Sequence, residues 1–392
     1  MEARRVAVTG IGVVAPCGIG SDAFWAGLFS TPEPGAERRI TDFEPEQWFE
    51  NRKEARRTDR FAQFAFAAAA MALQEAGDLK VDPVRAGVLI GTGVGGIATL
   101  EEQIQINYTK GGDRVSPFLV PMMMGNAAAA GVSMRYGFQG PCETTVTACA
   151  AGTHSIGNAA RMVRDGRCDV VLAGGSEAGM TPTALAGFGN MTALSTSGNS
   201  RPFDVRRDGF VMAEAAGVLV LEEWERAVAR GATIIGEIMG SANTADAHHI
   251  TAPSPGGSGA ITCMELALAD AGIGSADIVH INAHGTSTPK NDQAEAEAIA
   301  KMFGAPGPAV TSTKGVTGHA LGGAGAIEAA AVLLSIRHRL IPPTAGYAEP
   351  DPEMPTIDIV TGEGRSWEPG PSLSNSFGFG GHNGTLVIGP PD

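Results

Sequence analysis

Residues 145–163 read TVTACAAGTHSIGNAARMV. The opening is β-branched, and Cys149 then sits among the small residues Ala148, Ala150, Ala151 and Gly152. Residues 153–163 have the pattern of a helix, so the stretch reads as strand, tight turn with one thiol, and helix. The same order recurs downstream. Residues 309–337 give a strand (VTST, 310–313), a turn around Gly318 and His319, and the helix GAIEAAAVLLSIR. Upstream, residues 5–10 and 86–90 read as buried strands, 61–75 as an Ala-rich helix ending near Gly77, and 168–173 as a strand running into Gly174 and Gly175. Residues 233–240 open the second half as 5–10 open the first. The alternation predicts a layered α/β fold of two similar halves, with a seam near residues 225–235.

Composition bounds the function. A chain of 392 residues, 43% hydrophobic and 18% charged, predicts a large buried core. A net charge of −14 argues against general nucleic-acid binding. One run opposes that balance: Arg52, Lys53, Arg56, Arg57 and Arg60, diluted only by Glu54 and Asp59. It reads either as a solvated helix face or as a dock for a small acidic partner. Five cysteines with no CxxC pair suggest reduced thiols. No long apolar run and no signal peptide is visible, since MEARRVAVTGIG leads straight into a strand, and a cytoplasmic protein without a membrane span is expected.

Four segments could carry chemistry. Cys149 lies where a helix begins, and the positive end of a helix dipole predicts a lowered thiol pKa. In HINAHGTSTPKNDQAEAEAI, residues 280–299, His284 ends a strand before Gly285, Thr286, Ser287 and Thr288. His280 lies earlier on that strand, about 13 Å away by strand rise, too far for both imidazoles to share one metal. In STKGVTGHALGGAGAIEA, residues 312–329, Lys314 ends a strand, His319 sits in a Gly-rich turn and Glu328 lies on the next helix. A Lys beside a His favours the neutral imidazole, which can still donate a hydrogen bond to a developing oxyanion. The fourth segment, SNSFGFGGHNG at 374–384, alternates Phe377 and Phe379 with glycines. It reads as a Gly-rich hairpin between edge strands, or as a flexible loop offering a backbone N–H and an aromatic gate.

In this order and spacing the segments closely resemble the β-ketoacyl carrier-protein synthases of the I/II type, within the thiolase superfamily. The resemblance runs from VAVTGIGVVAP at 6–16 to the last hairpin. It implies a thiolase-like fold, two α/β halves (1–235, carrying the nucleophile, and 236–392, carrying the histidines) in a five-layered α-β-α-β-α arrangement, and an obligate dimer. It implies Cys149 as the acylated nucleophile, His284 and His319 as the catalytic pair, and Lys314 and Glu328 as supporting charges, with Glu328 grouped on the substrate side. By the same resemblance Thr286 and Thr288 bind phosphopantetheine. Phe377 and Phe379 gate the acyl pocket, with the Phe379 N–H in the oxyanion hole. The resemblance also makes the segment 116–131 the dimer-interface element that closes the far end of the acyl pocket, with Met124 limiting the tunnel. Lys53, Arg56, Arg57 and Arg201 contact an acyl carrier protein. The implied reaction is decarboxylative Claisen condensation with a malonyl thioester, without metal or nicotinamide.

Some features depart from the family. Residues 30–48 and 192–204 are compressed, and His382 stands where many members have Thr. A type II polyketide or polyene ketosynthase paired with a chain-length-factor subunit therefore stands beside the fatty-acid reading. A thiolase needs a second Cys near the end, whereas the last here is Cys263. The initiating enzymes use Cys-His-Asn, whereas the third position here is His319. Gly91, Gly93 and Gly96 with Asp113 match a dinucleotide fingerprint, and Gly10 with Gly12 make a weaker match broken by Pro16.

Overall fold

The computed structural model describes residues 4–391, so residues 1–3 of the expected leader-free start lie outside the described residues. Ten strands and six helices carry the architecture. In the first half these are β1 (Val6–Ala15), α1 (Arg60–Ala76), β2 (Ala86–Gly91), α2 (Ile97–Lys110), β3 (Cys142–Glu143), α3 (Ala151–Arg164), β4 (Val170–Glu177) and β5 (Ala215–Glu223). In the second half they are β6 (Gly236–Ala245), α4 (Ser258–Ala271), β7 (His280–Asn282), α5 (Pro289–Phe303), β8 (Ala309–Thr311), α6 (Ala324–His338), β9 (Ser372–Gly378) and β10 (His382–Gly389).

The strand orders are β3-β2-β4-β5-β1 and β8-β7-β9-β10-β6. They are the same order twice. In both, the first two pairings are parallel and the last two antiparallel. The short strand Asp358–Ile359 extends the second set beyond β8. The sets join where Ala7 and Val8 of β1 pair with Glu237 and Gly236 of β6. The repeated unit expected from the sequence is therefore present as repeated topology.

Alternation along the strands separates five layers. Val218 and Val220 of β5 face α1 in one cluster, while Leu219 and Leu221 face the two central helices α3 and α6. In the second half, Leu386 and Ile388 of β10 face that same central layer, and Val387 faces α4 and α5 outside. The order is α1, first sheet, α3 with α6, second sheet, α4 with α5, which is the α-β-α-β-α arrangement. Strand and helix come close enough to require glycine at β1. A Cβ on Gly12 would lie 1.8 Å from the carbonyl oxygen of Ala68 in α1, and one on Gly10 would lie 2.1 Å from that of Ala72. Those glycines serve packing, not a phosphate.

Three local readings need correction. Lys314 does not end a strand: β8 stops at Thr311, and Lys314 opens the short helix Lys314–Thr317. Strands β9 and β10 are not edges but lie inside the sheet, between β7 and β6. The strand carrying His280 ends at Asn282, so His284 is on the loop beyond, while the His280 ring packs on Trp367 with centroids 5.4 Å apart.

Candidate active site

The duplicated topology places two chemically different loops at equivalent positions. Cys149 lies between β3 and α3, and His319 between β8 and α6. Both loops contain a non-glycine residue at positive φ, Ala148 at 49° and Leu321 at 43°. Backbone of this kind costs about 1–3 kcal/mol and persists where surrounding packing enforces it. His319 is held by the neighbouring segment Met212–Ala213: its N–H donates to Val211 O at 2.8 Å, and its carbonyl accepts from Ala213 N at 3.0 Å.

The loops converge. His319 Nε2 lies 3.1 Å from Cys149 Sγ, and the rings of His284 and His319 stand 5.4 Å apart at 82°. The Phe379 N–H points at the Cys149 sulfur. Phe377 lies against His284, with ring centroids 6.0 Å apart. All of these residues line a cavity of about 430 Å³. Thr286 and Thr288 line it too, their hydroxyls 2.8 Å apart, beside Lys290 and Asn291. The other wall is apolar, made by Phe188, Met191, Ala193, Phe210 and Leu321.

Electrostatics correct one expectation. The helix start was expected to lower the thiol pKa. Instead burial dominates and pushes Cys149 up to about 11, with the Phe379 N–H and the Lys314 charge pulling the other way. Both imidazoles are pushed well below 6.5, first by burial and then by Lys314. The resting site is thus a thiol beside two neutral imidazoles. Lys314 itself is fully buried and paired with Glu328. Donor atoms of Cys149, His284 and His319 lie within 4.8 Å of one another, the one group among the described residues that could hold a metal ion.

Several expected site residues are elsewhere. Glu328 faces Lys314 from α6 and is not part of the cavity wall. Met124 is 43% exposed and lines a separate groove with Lys53, Arg57 and Met134, so within one chain it does not close the pocket. The basic run splits. Lys53, Arg56 and Arg57 are exposed, with Arg57 stacked 4.0 Å from the Phe118 ring centroid. Arg52 instead pairs with Glu46 at 2.9 Å, and Arg60 is locked to Glu214 and Ile40 O. Arg201 is half-buried, lies outside the cavity lining, and donates its backbone N–H to Ser287 Oγ at 2.8 Å.

Buried carboxylates hold the loops, and the sequence reading passed over them. Glu295 of α5 accepts the N–H groups of His284 and Gly285 at 2.8 Å each. Asp292, one turn earlier, accepts from Ser287 N and Phe203 N. Glu177, at the end of β4, accepts from Gly93 N at 2.6 Å and Gly322 N at 3.2 Å. That carboxylate fills the loop of the Gly91-Gly93-Gly96 motif where a dinucleotide phosphate would need to sit, which removes the dinucleotide reading. Asp292 and Glu295 fall on the same stripe of α5 as the buried Ala296 and Ile299, and acids at core positions of an amphipathic helix were a legible signal.

Comparison with known proteins agrees with this geometry. Residues 31–227 match the β-ketoacyl synthase N-terminal domain and residues 235–348 the β-ketoacyl synthase C-terminal domain. The chain is 45% identical to the 3-oxoacyl-[acyl-carrier-protein] synthase 2 of Synechocystis sp., over 99% of this chain and 98% of that protein. Among solved structures it is similar to the ishigamide ketosynthase/chain length factor (TM-score 0.94, 32% identity, all of both chains). It is also similar to AntDE:AntF, a type II polyketide acyl-carrier protein in complex with its ketosynthase bound to the hexaketide (TM-score 0.89, 34% identity, all of both chains). Two matched halves, full-length identity and the thiolase-like layers agree: the chain belongs to the β-ketoacyl synthase family.

Proposed function

We propose that the protein lengthens acyl chains by two carbons in type II fatty acid synthesis, condensing a Cys149-bound acyl group with malonyl on an acyl carrier protein. The observation that carries this is the meeting of Cys149 Sγ, the two imidazoles and the Phe379 N–H in one cavity with a polar and an apolar wall. The fatty-acid reading is favoured over the polyketide one because identity to the 3-oxoacyl synthase is 45%, against 34% for the type II polyketide ketosynthase complex and 32% for the ishigamide ketosynthase/chain length factor.

In the first stage the thiol adds to the acyl thioester carbonyl, and the N–H groups of Cys149 and Phe379 hold the oxyanion. The thiol proton ends on the departing pantetheine sulfur, with His319 Nε2 the nearest base. In the second stage malonyl thioester enters and both neutral imidazoles donate an N–H to its thioester oxygen. Its carboxylate leaves as CO₂, the enolate attacks the acyl-Cys carbonyl, and the released thiolate takes up a proton. His319 accepts in one stage and donates in the other, which a neutral imidazole does by changing tautomer.

The reading calls on no metal or nicotinamide, and the Lys314 ammonium behind the histidines opposes a second cation there. Thr286, Thr288 and Lys290 line the arm assigned to phosphopantetheine. The acyl carrier protein is the assigned acidic partner, docking on Lys53, Arg56 and Arg57. The exposed Tyr108, Val120, Met134 and Val146 are assigned to a second ketosynthase-fold subunit. No helix among the described residues is long and apolar enough to cross a membrane, and the protein is assigned to the cytoplasm.

Intact mass after incubation with acyl-carrier and then malonyl-carrier protein tests the proposal. An acyl adduct on Cys149 that is discharged on malonyl addition with CO₂ release is the expected result. No adduct, or an adduct on another residue, sinks it.

A further inference from the structure

His154 is a buried histidine on the first turn of α3, and it is not part of the cavity wall. Its ring bridges two elements of the site. Nε2 lies 2.9 Å from the carbonyl oxygen of Asn383, and Nδ1 lies 2.9 Å from Thr147 Oγ1. A carbonyl can only accept, so Nε2 carries the proton and Nδ1 of the neutral ring accepts from the Thr147 hydroxyl. Burial lowers the pKa of His154 and so favours this neutral form. His382 stands beside it, with ring centroids 6.5 Å apart at 85°.

The two partners belong to the loops that must stay in register. Thr147 precedes the strained Ala148 and Cys149. Asn383 pairs with Phe377 across the β9–β10 hairpin, whose turn carries Phe379. Asn383 Nδ2 also donates to Asp246 at 2.7 Å, and Asp246 N donates to Gly381 O at 2.9 Å, tying the hairpin turn to the cavity wall. Space is reserved for the imidazole, since a Cβ on Gly384 would lie 2.8 Å from its Cδ2. The links close a ring: Cys149, Thr147, His154, Asn383, the hairpin, and the Phe379 N–H back at the sulfur.

We propose that His154 is a positioning residue that sets the distance between the Cys149 sulfur and the Phe379 N–H, and so the oxyanion hole for acyl transfer. The proposal rests on the acyl-transfer reading above. An oxyanion donor counts only where it meets the developing charge. A misplacement of about 1 Å costs on the order of 100-fold in rate.

The test compares wild type with His154→Ala, His154→Gln and His154→Asn in two reactions of Cys149. One is acyl-enzyme formation from a pantetheine thioester, followed by intact mass at several substrate concentrations. The other is alkylation by iodoacetamide, which develops no oxyanion. His154→Ala is expected to lower the saturating acylation rate by roughly 10–100-fold, with the half-saturating concentration unchanged and alkylation at the wild-type rate. His154→Gln, whose amide nitrogen reaches the Nε2 position, recovers most of the rate. His154→Asn, which reaches only the Nδ1 position, does not. Acylation by His154→Ala at the wild-type rate overturns the proposal. So does a parallel fall of acylation and alkylation, or His154→Gln performing no better than His154→Ala. The wild-type adduct in the same assay judges the acyl-transfer reading separately.

Discussion

Glu295 accepts the backbone N–H groups of both His284 and Gly285, at 2.8 Å each, from inside helix α5. The His284 loop is therefore held by a carboxylate that is not part of the cavity wall. Glutamine at this position has one acceptor and turns an NH₂ toward the second N–H. Burial pushes Glu295 up to about 7, while the N–H groups of Gly285 and His284 favour its charged form. Hydrogen bonds to that form are worth about 1.5–3 kcal/mol, so Glu295→Gln is expected to slow condensation by roughly tenfold at pH above 7. Acylation of Cys149 should be spared. Quenched-flow acyl-enzyme mass beside CO₂ release checks this, and equal losses in both would move Glu295 from aiming His284 to general folding.

Cys149 divides the two half-reactions. Cys149→Ala is expected to abolish acyl-enzyme formation and condensation together, because no covalent intermediate forms. Cys149→Gln places an amide carbonyl where the acyl thioester carbonyl would be. It is expected to release CO₂ from malonyl thioester without making product. A Cys149→Ala protein that still gains acyl mass would refute the nucleophile assignment.

Much of this site was legible in the sequence, and the reasons are physical. Cys149, His284 and His319 stand on loops that follow strands, and Phe379 on the turn of the β9–β10 hairpin, all among small residues where chain chemistry shows through local pattern. The repeated halves were legible because β3-turn-α3 and β8-turn-α6 solve one packing problem twice. Strand lengths were not: β1 runs on through Gly10 and Gly12 to Ala15, because α1 packs closely enough there to use glycine inside a strand. Glu177 and His154 were illegible because their partners, Gly322 and Asn383, are distant in the chain. Thiol acidity was misread because dipole orientation is a local signal, whereas burial is set by the whole fold.

Burial first and the Lys314 charge second set the pH range. Both histidine pKa values are depressed, so both rings stay neutral as pH falls through 6.5. Stability from keeping them neutral is present above 6.5 and is lost as pH falls from there toward their folded values. CO₂ release is therefore expected to persist below 6.5 rather than halve there. Lys314→Met alone strands a buried carboxylate and is expected to cost about 3–5 kcal/mol in a denaturant melt. Lys314→Met with Glu328→Leu should recover most of that stability and move the acid limb of CO₂ release to higher pH. An unmoved limb in the folded double variant would remove Lys314 from imidazole control.

The basic run makes a narrower prediction than its five charges suggested. Arg52 and Arg60 are paired with acids within the chain, and Lys53, Arg56 and Arg57 are the exposed charges proposed to dock the carrier protein. Exposed pairs are worth about 0.2–1 kcal/mol each, so reversing all three is expected to raise KM for carrier-bound substrate roughly tenfold. Added salt should weaken wild type in the same direction. KM for a pantetheine thioester should not change, and a comparable rise there would mean damage to the fold.

Chain length is assigned to the apolar wall. Phe188 lines the Cys149 cavity, its ring 5.7 Å from Phe210 and 6.4 Å from Phe379, whereas Met124 lies in a separate groove. Phe188 thus stands on the apolar wall between Phe210 and Phe379. Burying one methylene is worth about 0.8 kcal/mol, or roughly fourfold in kcat/KM. Phe188→Ala is expected to move the preferred acyl chain longer by the methylenes its ring displaces, and Phe188→Trp to move it shorter. Met124→Ala separates the two places: in one chain it opens no space at Cys149, so a shift in the ratio of kcat/KM across chain lengths there can come only through the subunit contact. Competition between short and long acyl thioesters, read by intact mass of the Cys149 adduct, measures both. A shift with Met124→Ala but none with Phe188→Ala would place the length limit at the subunit contact instead of within the chain.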